Sequence, residues 1–207
     1  MKRPERKTQV PGVSIKKTRT AKPGLKQLEG ELKRVDHKAR FRKLLRSTID
    51  TLIVIAAIAV LVAVLFLPVL RIYGSSMYPT LAEGQIVVSI KGANIESDDV
   101  VALYYGSKVL IKRCIATEYQ WVDIDENGNV YVDGNMIDEP YLTEKAFGET
   151  NIDLPYQVPD NTYFVLGDNR ETSIDSRNTS VGCIDKDDIV GKIVFRVWPL
   201  SDFGIVK

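Results

Sequence analysis

A chain of 207 residues that is 44% hydrophobic and 27% charged can bury one moderate core and does not require two large globular domains. Its formal net charge of +1 conceals a split: residues 1–46 carry 16 Lys and Arg against 4 Asp and Glu, and the rest carry 12 against 23. The one histidine, His37, and the two cysteines, Cys114 and Cys183, form no cluster at metal-ligand spacing, so no metal site is expected.

Residues 1–46 are rich in Lys, Arg, Thr, Gly and Pro and poor in large apolar side chains, a composition that predicts a basic, mostly disordered tail. No aromatic residue interleaves the basic ones before Phe41, which argues against nucleic acid and for contact with anionic lipid. Residues 47–70 follow as one transmembrane signal-anchor helix, in which the nineteen residues from Leu52 to Leu70 carry no charge. That length suits a hydrocarbon core of about 30 Å. Arg40, Arg42, Lys43 and Arg46 crowd the N-terminal flank against Arg71 alone on the other side, which places the N-terminus in the cytoplasm and the C-terminal part outside. Leu70-Arg71-Ile72-Tyr73 is a poor cleavage site, so the segment reads as an anchor and not as a removable leader.

From residue 71 to 207 the pattern is one of short strands: residues 85–90, 100–105, 109–115 and 162–166, all dominated by β-branched and aromatic side chains. Residues 121–124 and 129–132 flank Asp125-Glu126-Asn127-Gly128, a hairpin signal because Asn-Gly tolerates positive φ, and a second turn follows at Asp133-Gly134-Asn135. A short helix near residues 186–189 precedes a last strand over 191–198. The expected fold is all-β: a folded, barrel-like antiparallel sheet with an inserted hairpin subdomain at 116–160, preceded by the transmembrane helix. Cys114 and Cys183 lie on the outer side, and free, packed thiols are favoured over a bridge.

Three segments carry chemistry: Gly74-Ser75-Ser76-Met77-Tyr78-Pro79-Thr80, Ile111-Lys112-Arg113, and the polar loop from Gly167 to Arg177. A serine hydroxyl needs a base. His37 precedes the apolar run and would sit across the bilayer, so a Ser-His-Asp triad is excluded and Lys112 becomes the best candidate. A free lysine, of pKa about 10.4, is neutral in only about one molecule in a thousand or fewer at neutral pH. Burial would lower that pKa, and Lys112 follows the apolar run Val109-Leu110-Ile111. Arg113, on the opposite face of the strand, would keep its charge in a polar setting. Composition does not separate Ser75 from Ser76.

Ser76-Met77-Tyr78-Pro79-Thr80, Lys112-Arg113 and Gly167-Asp168-Asn169-Arg170 with Ser173, Asp175, Ser176 and Arg177 resemble, in order and after an anchor, the signature boxes of bacterial type I signal peptidases. The resemblance implies that Ser76 is the nucleophile and Lys112 the general base of a membrane-bound serine endopeptidase acting without cofactor. It further implies that Ser173 orients the Lys112 amine, and that Asp168, Arg170, Asp175 and Arg177 hold the loop together through charge-assisted pairs. The oxyanion would meet the Ser76 N–H and a donor near Gly74, where some relatives carry serine. Ile72, Met77, Leu81, Leu110 and Ile111 would line pockets for small residues one and three positions before the cut. The implied partners are the signal peptides of exported preproteins, membrane lipid and the secretion translocon, with no nucleic acid.

The chain departs from that family's pattern at Ala116-Thr117-Glu118, where a Pro-Gly-Asp turn is common, at Glu171-Thr172 and at Asp98, where glycine is frequent. A self-cleaving Ser-Lys repressor protease would carry a DNA-binding domain in place of the anchor. An idle ectodomain would have no need to keep both Ser76 and Lys112.

Overall fold

The computed structural model describes residues 24–206. Helix α1 runs from Leu25 to Phe66, and the chain divides within it into two compact units, Met1–Ile55 and Ala56–Lys207. The expected tail falls partly outside the described residues. Its remainder, from Leu25 to Arg46, is helical and not disordered. Lys26, Gln27, Leu28, Glu29, Leu32 and Lys33 lose little side-chain freedom in a helix, and Glu31 pairs with Arg34 one turn on at 3.7 Å. Within α1, the Thr48 and Thr51 hydroxyls donate to the Leu44 and Ser47 carbonyls, which satisfies them without water. The stretch is long and apolar enough to cross a membrane.

The expected span to Leu70 also needs correction at its far end. Pro68 has no N–H to donate and disfavours helical geometry at Leu67, so α1 closes with the Leu67 N–H on the Ala63 carbonyl at 2.8 Å. The last residues of the apolar run become strand β1 (Val69–Arg71), paired with β2 (Ile86–Ile90).

The second unit is built from antiparallel sheets, in agreement with the expected all-β class. The main sheet adds β3 (Val100–Tyr105), β4 (Lys108–Ala116) and, later in the chain, β9 (Thr162–Leu166), β10 (Ile184–Asp185), β11 (Ile189–Trp198) and β12 (Gly204–Ile205). Its order is β1-β2-β11-β3-β4-β9-β10, with β12 on β11. β3 is buried on both faces: Val100 and Ala102 join Ile72, Met77, Leu81 and Val87 in one apolar cluster, while Val101 and Leu103 join Cys114, Tyr163 and Val165 in another. Register shifts along β11 and between Cys114 and Ala116 bend the sheet.

Between β4 and β9 the chain leaves to form a smaller sheet, β5 (Trp121–Ile124), β6 (Val130–Val132), β7 (Asn135–Met136) and β8 (Tyr156–Gln157), in the order β7-β6-β5-β8. Val122, Ile124 and Val130 pack with Ile115, Phe164 and Leu166 of the main sheet. The β5–β6 turn is held by the Asp125 carboxylate, which accepts the Asn127 and Asn129 N–H groups at 3.0 and 2.8 Å. Gly128 closes that turn at φ +77°, and a methyl group there would lie 2.6 Å from the Ala146 backbone. Gly128→Ala therefore meets both a left-handed backbone and a backbone wall. It should lower stability to urea by about 1–3 kcal/mol more than Gly182→Ala, which bears the left-handed strain of about 1 kcal/mol alone because it faces open space. Equal effects of the two substitutions would remove the wall from the explanation.

Candidate active site

The central strand β4 decides the site. Strand alternation sends Lys112, opposite Val101, and Arg113, opposite Val100, to different faces. Both are buried, Lys112 at 3% exposure and Arg113 at 0%, yet their environments differ in kind. The Arg113 guanidinium donates through Nε and Nη2 to both oxygens of Asp168, at 2.9 and 2.8 Å, and through Nη1 to the Asp98 carbonyl and carboxylate at 2.8 and 3.1 Å. It also lies 3.7 Å over the Tyr141 ring. Although burial opposes its charge, the Asp168 hydrogen bonds and charge raise its pKa. Asp98 reaches this guanidinium at φ +79°, which is the backbone geometry that glycine would otherwise supply.

Among the described residues, Lys112 has no such carboxylate within a salt bridge. Its Nζ donates to the Ser173 Oγ at 2.7 Å. Burial pushes its pKa down to about 8, with the Arg177 charge in the same direction and Asp175 and Asp168 opposing. At neutral pH about one molecule in ten then carries a free amine, a gain of roughly a hundredfold over an exposed lysine.

Ser76 stands in the loop that leaves β1. Gly74 turns the backbone at φ +81°, Ser75 is exposed, and Ser76 is half-buried. The Ser76 carbonyl accepts the Asn169 N–H at 3.0 Å, which fastens the serine loop to the polar loop. Gly167 permits the approach: a methyl group on it would lie 2.6 Å from the Ser76 carbonyl oxygen and run into Ser173 Oγ. Ser76, Ser173 and Lys112 thus converge around Gly167. Among the described residues the amine bonds to Ser173 and makes no hydrogen bond to Ser76 Oγ, and the Ser76 N–H has no protein acceptor.

The polar loop is held by more than its own charges. Asp175 accepts the Gly167 N–H at 3.0 Å and pairs with Arg177 at 2.8 and 2.9 Å, while Arg177 also donates to the Arg170 carbonyl at 2.9 Å and the Phe147 carbonyl at 2.7 Å. Asp175 and Arg177 are thus paired within the loop. Asp168 and Arg170 differ from that pair, because their charge partners lie elsewhere: Asp168 on Arg113 of β4, Arg170 on Glu139 of the inserted segment. Arg170 Nε turns back to the Gly167 carbonyl at 3.1 Å. Glu139 was invisible in the sequence because Asp138-Glu139-Pro140 reads as an ordinary polar turn, and burial of one carboxylate leaves no local pattern.

Beside Ser76 runs a groove of about 70 Å³ lined by Arg71, Ile72, Tyr73, Gly74, Met77, Val109, Leu110 and Ile111. Four of the five expected pocket residues therefore meet there. Leu81 does not; it is fully buried in the apolar cluster beneath, where it packs with Ile72 and Met77. The groove lies where β1 ends and where β4 has an open flank, since β9 pairs only with Arg113, Cys114 and Ala116. Cys114 and Cys183 are free, and burial raises their thiol pKa values to about 12 and about 11. No group of three or more His, Cys, Asp or Glu among the described residues is arranged to hold a metal ion.

The chain is similar to known proteins. The family model described as signal peptidase, peptidase S26, matches residues 45–198. Signal peptidase IB of Staphylococcus aureus (strain COL) is 38% identical over 152 residues, covering 64% of this chain and 78% of that protein. Signal peptidase I of Bacillus amyloliquefaciens is 38% identical over 170 residues, covering 75% of this chain and 86% of that one. A signal peptidase I structure from Enterococcus faecalis V583 superposes with a TM-score of 0.42 at 23% identity, covering 48% of this chain and 97% of that chain. With the match extending over most of its length, the chain belongs to the signal peptidase family, peptidase S26.

Proposed function

We propose that this chain is a membrane-anchored endopeptidase that removes N-terminal signal peptides from exported preproteins, with Ser76 as nucleophile and Lys112 as general base. The observation that carries the reading is the buried Lys112 amine, 2.7 Å from Ser173 Oγ, converging with Ser76 on Gly167. An amine of lowered pKa can accept a proton at neutral pH, which an exposed lysine does poorly.

The substrate would enter as an extended strand. The main-chain groups of Lys108–Lys112 on the flank away from β3 have no strand partner among the described strands, and the free side of β1 lies at the sheet edge. Strand addition between them supplies main-chain hydrogen bonds, and the shallow groove admits only small side chains at the positions one and three before the cut. The Ser76 hydroxyl attacks the scissile carbonyl and its proton passes to Lys112. The Ser76 N–H faces the oxyanion. Gly74 has no hydroxyl to add, so any second donor is backbone or water. The intermediate collapses to an acyl ester as Lys112 protonates the departing amine, and Lys112 then deprotonates the water that frees the signal peptide. Ser173 keeps the amine oriented throughout. No step is assigned to a metal or cofactor.

The basic N-terminal flank supports a cytoplasmic N-terminus and an extracytoplasmic catalytic part, with α1 as the single crossing. Contact with membrane lipid follows from the anchor, and contact with the translocon from the substrate.

Incubating a preprotein that has Ala one and three positions before the cut with the full-length enzyme in detergent should give the mature N-terminus by sequencing. Ser76→Ala and Lys112→Ala should each reduce turnover by at least about a thousandfold, while Ser75→Ala should retain it. Loss in Ser75→Ala with survival of Ser76→Ala reverses the assignment.

The rate should rise with pH along one limb with its midpoint near pH 8, since the free amine is the active form. A rate still climbing through pH 10 contradicts the lowered Lys112. Stability should move with the same group. Because the folded-state pKa is depressed, the stabilisation is complete above the unfolded value of about 10.4 and is lost as pH falls through about 8. Lys112→Met should therefore be more resistant to urea than wild type at pH 7, by up to about 3 kcal/mol, with the advantage gone at pH 10.5. A pH-independent difference contradicts the burial cost.

A further inference from the structure

A second cavity, of about 190 Å³, adjoins the serine loop and is separate from the groove. Tyr78, Thr143, Glu144, Asn169, Arg170 and Glu171 are among its walls, so it lies between the inserted segment and the polar loop. Its position relative to Ser76 is fixed by two links. The chain runs from Ser76 through Met77 directly to Tyr78, and the Asn169 N–H is bonded to the Ser76 carbonyl at 3.0 Å. A strand crossing the nucleophile with its pre-cut residues in the groove must carry its post-cut residues off another flank of Ser76. Each extended residue advances about 3.3 Å, and Tyr78 and Asn169 bring two of the cavity's walls within two residues and one hydrogen bond of Ser76.

Its charge is uneven in a way that selects an occupant. Asp168 and Arg170, which both line it, are already engaged, the first by Arg113 and the second by Glu139. Lys145, next in sequence to the rim, is turned to Asn129 at 3.0 Å and to Glu139 at 4.0 Å. Glu144 and Glu171 are exposed and form no ion pair among the described residues. Two uncompensated carboxylates therefore face whatever lies in the cavity. Arg170, 2% exposed, is sealed against Glu139 and offers the cavity no accessible charge, so the two carboxylates set its polarity.

The geometry points to a leaving-side subsite: the cavity takes the first residues of the mature chain, favouring Lys or Arg and disfavouring Asp or Glu two and three positions after the cut. This assignment rests on the proposed signal-peptide cleavage by Ser76. Glu144 and Glu171 act as specificity determinants, because a carboxylate near a bound side chain attracts a cation and repels an anion whatever the reacting groups do.

The test uses full-length enzyme in detergent at low ionic strength and peptides identical up to the cut, carrying either Lys or Glu at the second and third positions after it. The quantity read is the ratio of kcat/KM for the Lys peptide to that for the Glu peptide. Wild type should give a ratio of about three to ten. The ratio should fall to near one in Glu144→Gln/Glu171→Gln and below one in Glu144→Lys/Glu171→Lys. A ratio that is the same in all three enzymes, with cleavage still abolished by Ser76→Ala, overturns the subsite and leaves the cleavage reading standing. Failure of every peptide to be cut at the expected bond overturns both.

Discussion

A lysine amine serves as a base near neutral pH only if it is held out of water while the charges around it remain paired. Lys112 satisfies the first condition by its place on β4, and its neighbour satisfies the second. Arg113 is equally deep, but two carboxylates and an aromatic face meet its guanidinium, so its charge is retained. Lys112 receives one hydroxyl and no carboxylate, so desolvation prevails and its pKa falls to about 8. Adjacent cations on one strand thus shift in opposite directions because alternation delivers them to different partners.

That arrangement needs a loop that presents Ser173 to the amine and its carboxylates to other cations. Three ties hold the segment from Gly167 to Arg177: Asp175 with Arg177 inside it, Asp168 to Arg113 of β4, and Arg170 to Glu139 of the inserted segment. All of these side chains are buried, which makes each pair costly to break singly. Gly148, at φ +67°, lets the inserted segment pass against Arg170 and Arg177, where any Cβ would collide. The smaller sheet therefore does more than decorate the fold. The loop between β7 and β8 supplies Glu139, the Phe147 carbonyl and part of the second cavity, and these bear on the same loop that carries Ser173.

Much of this was legible in the chain itself because it is written in local chemistry. β-branched runs marked β3, β4 and β9, Asp-Gly at 133–134 marked a tight turn, and the resemblance of the segments around Ser76, Lys112 and Ser173 to bacterial type I signal peptidases pointed to the candidate site. What escaped depends on tertiary context. The helical state of residues 25–46 was masked by the Pro- and Gly-containing composition before it, and the strand at 69–71 by the apolar run of which it forms the end. Leu81 was expected in the pocket only through the family resemblance, and here its apolar neighbours cover it. Glu139 and Asp98 gained their roles from partners far along the chain, a relation that spacing does not express.

The claim on which the account stands is that the amine of Lys112 loses its proton at a lower pH than a free lysine does. Its most direct measurement is the titration of lysine side chains by NMR in the full-length enzyme, with carbon-13 at the ε position and the Lys112 signal identified by its loss in Lys112→Met. The account predicts one resonance titrating near pH 8, apart from the others. A Lys112 resonance that titrates near 10.5, the ordinary lysine value, would contradict it.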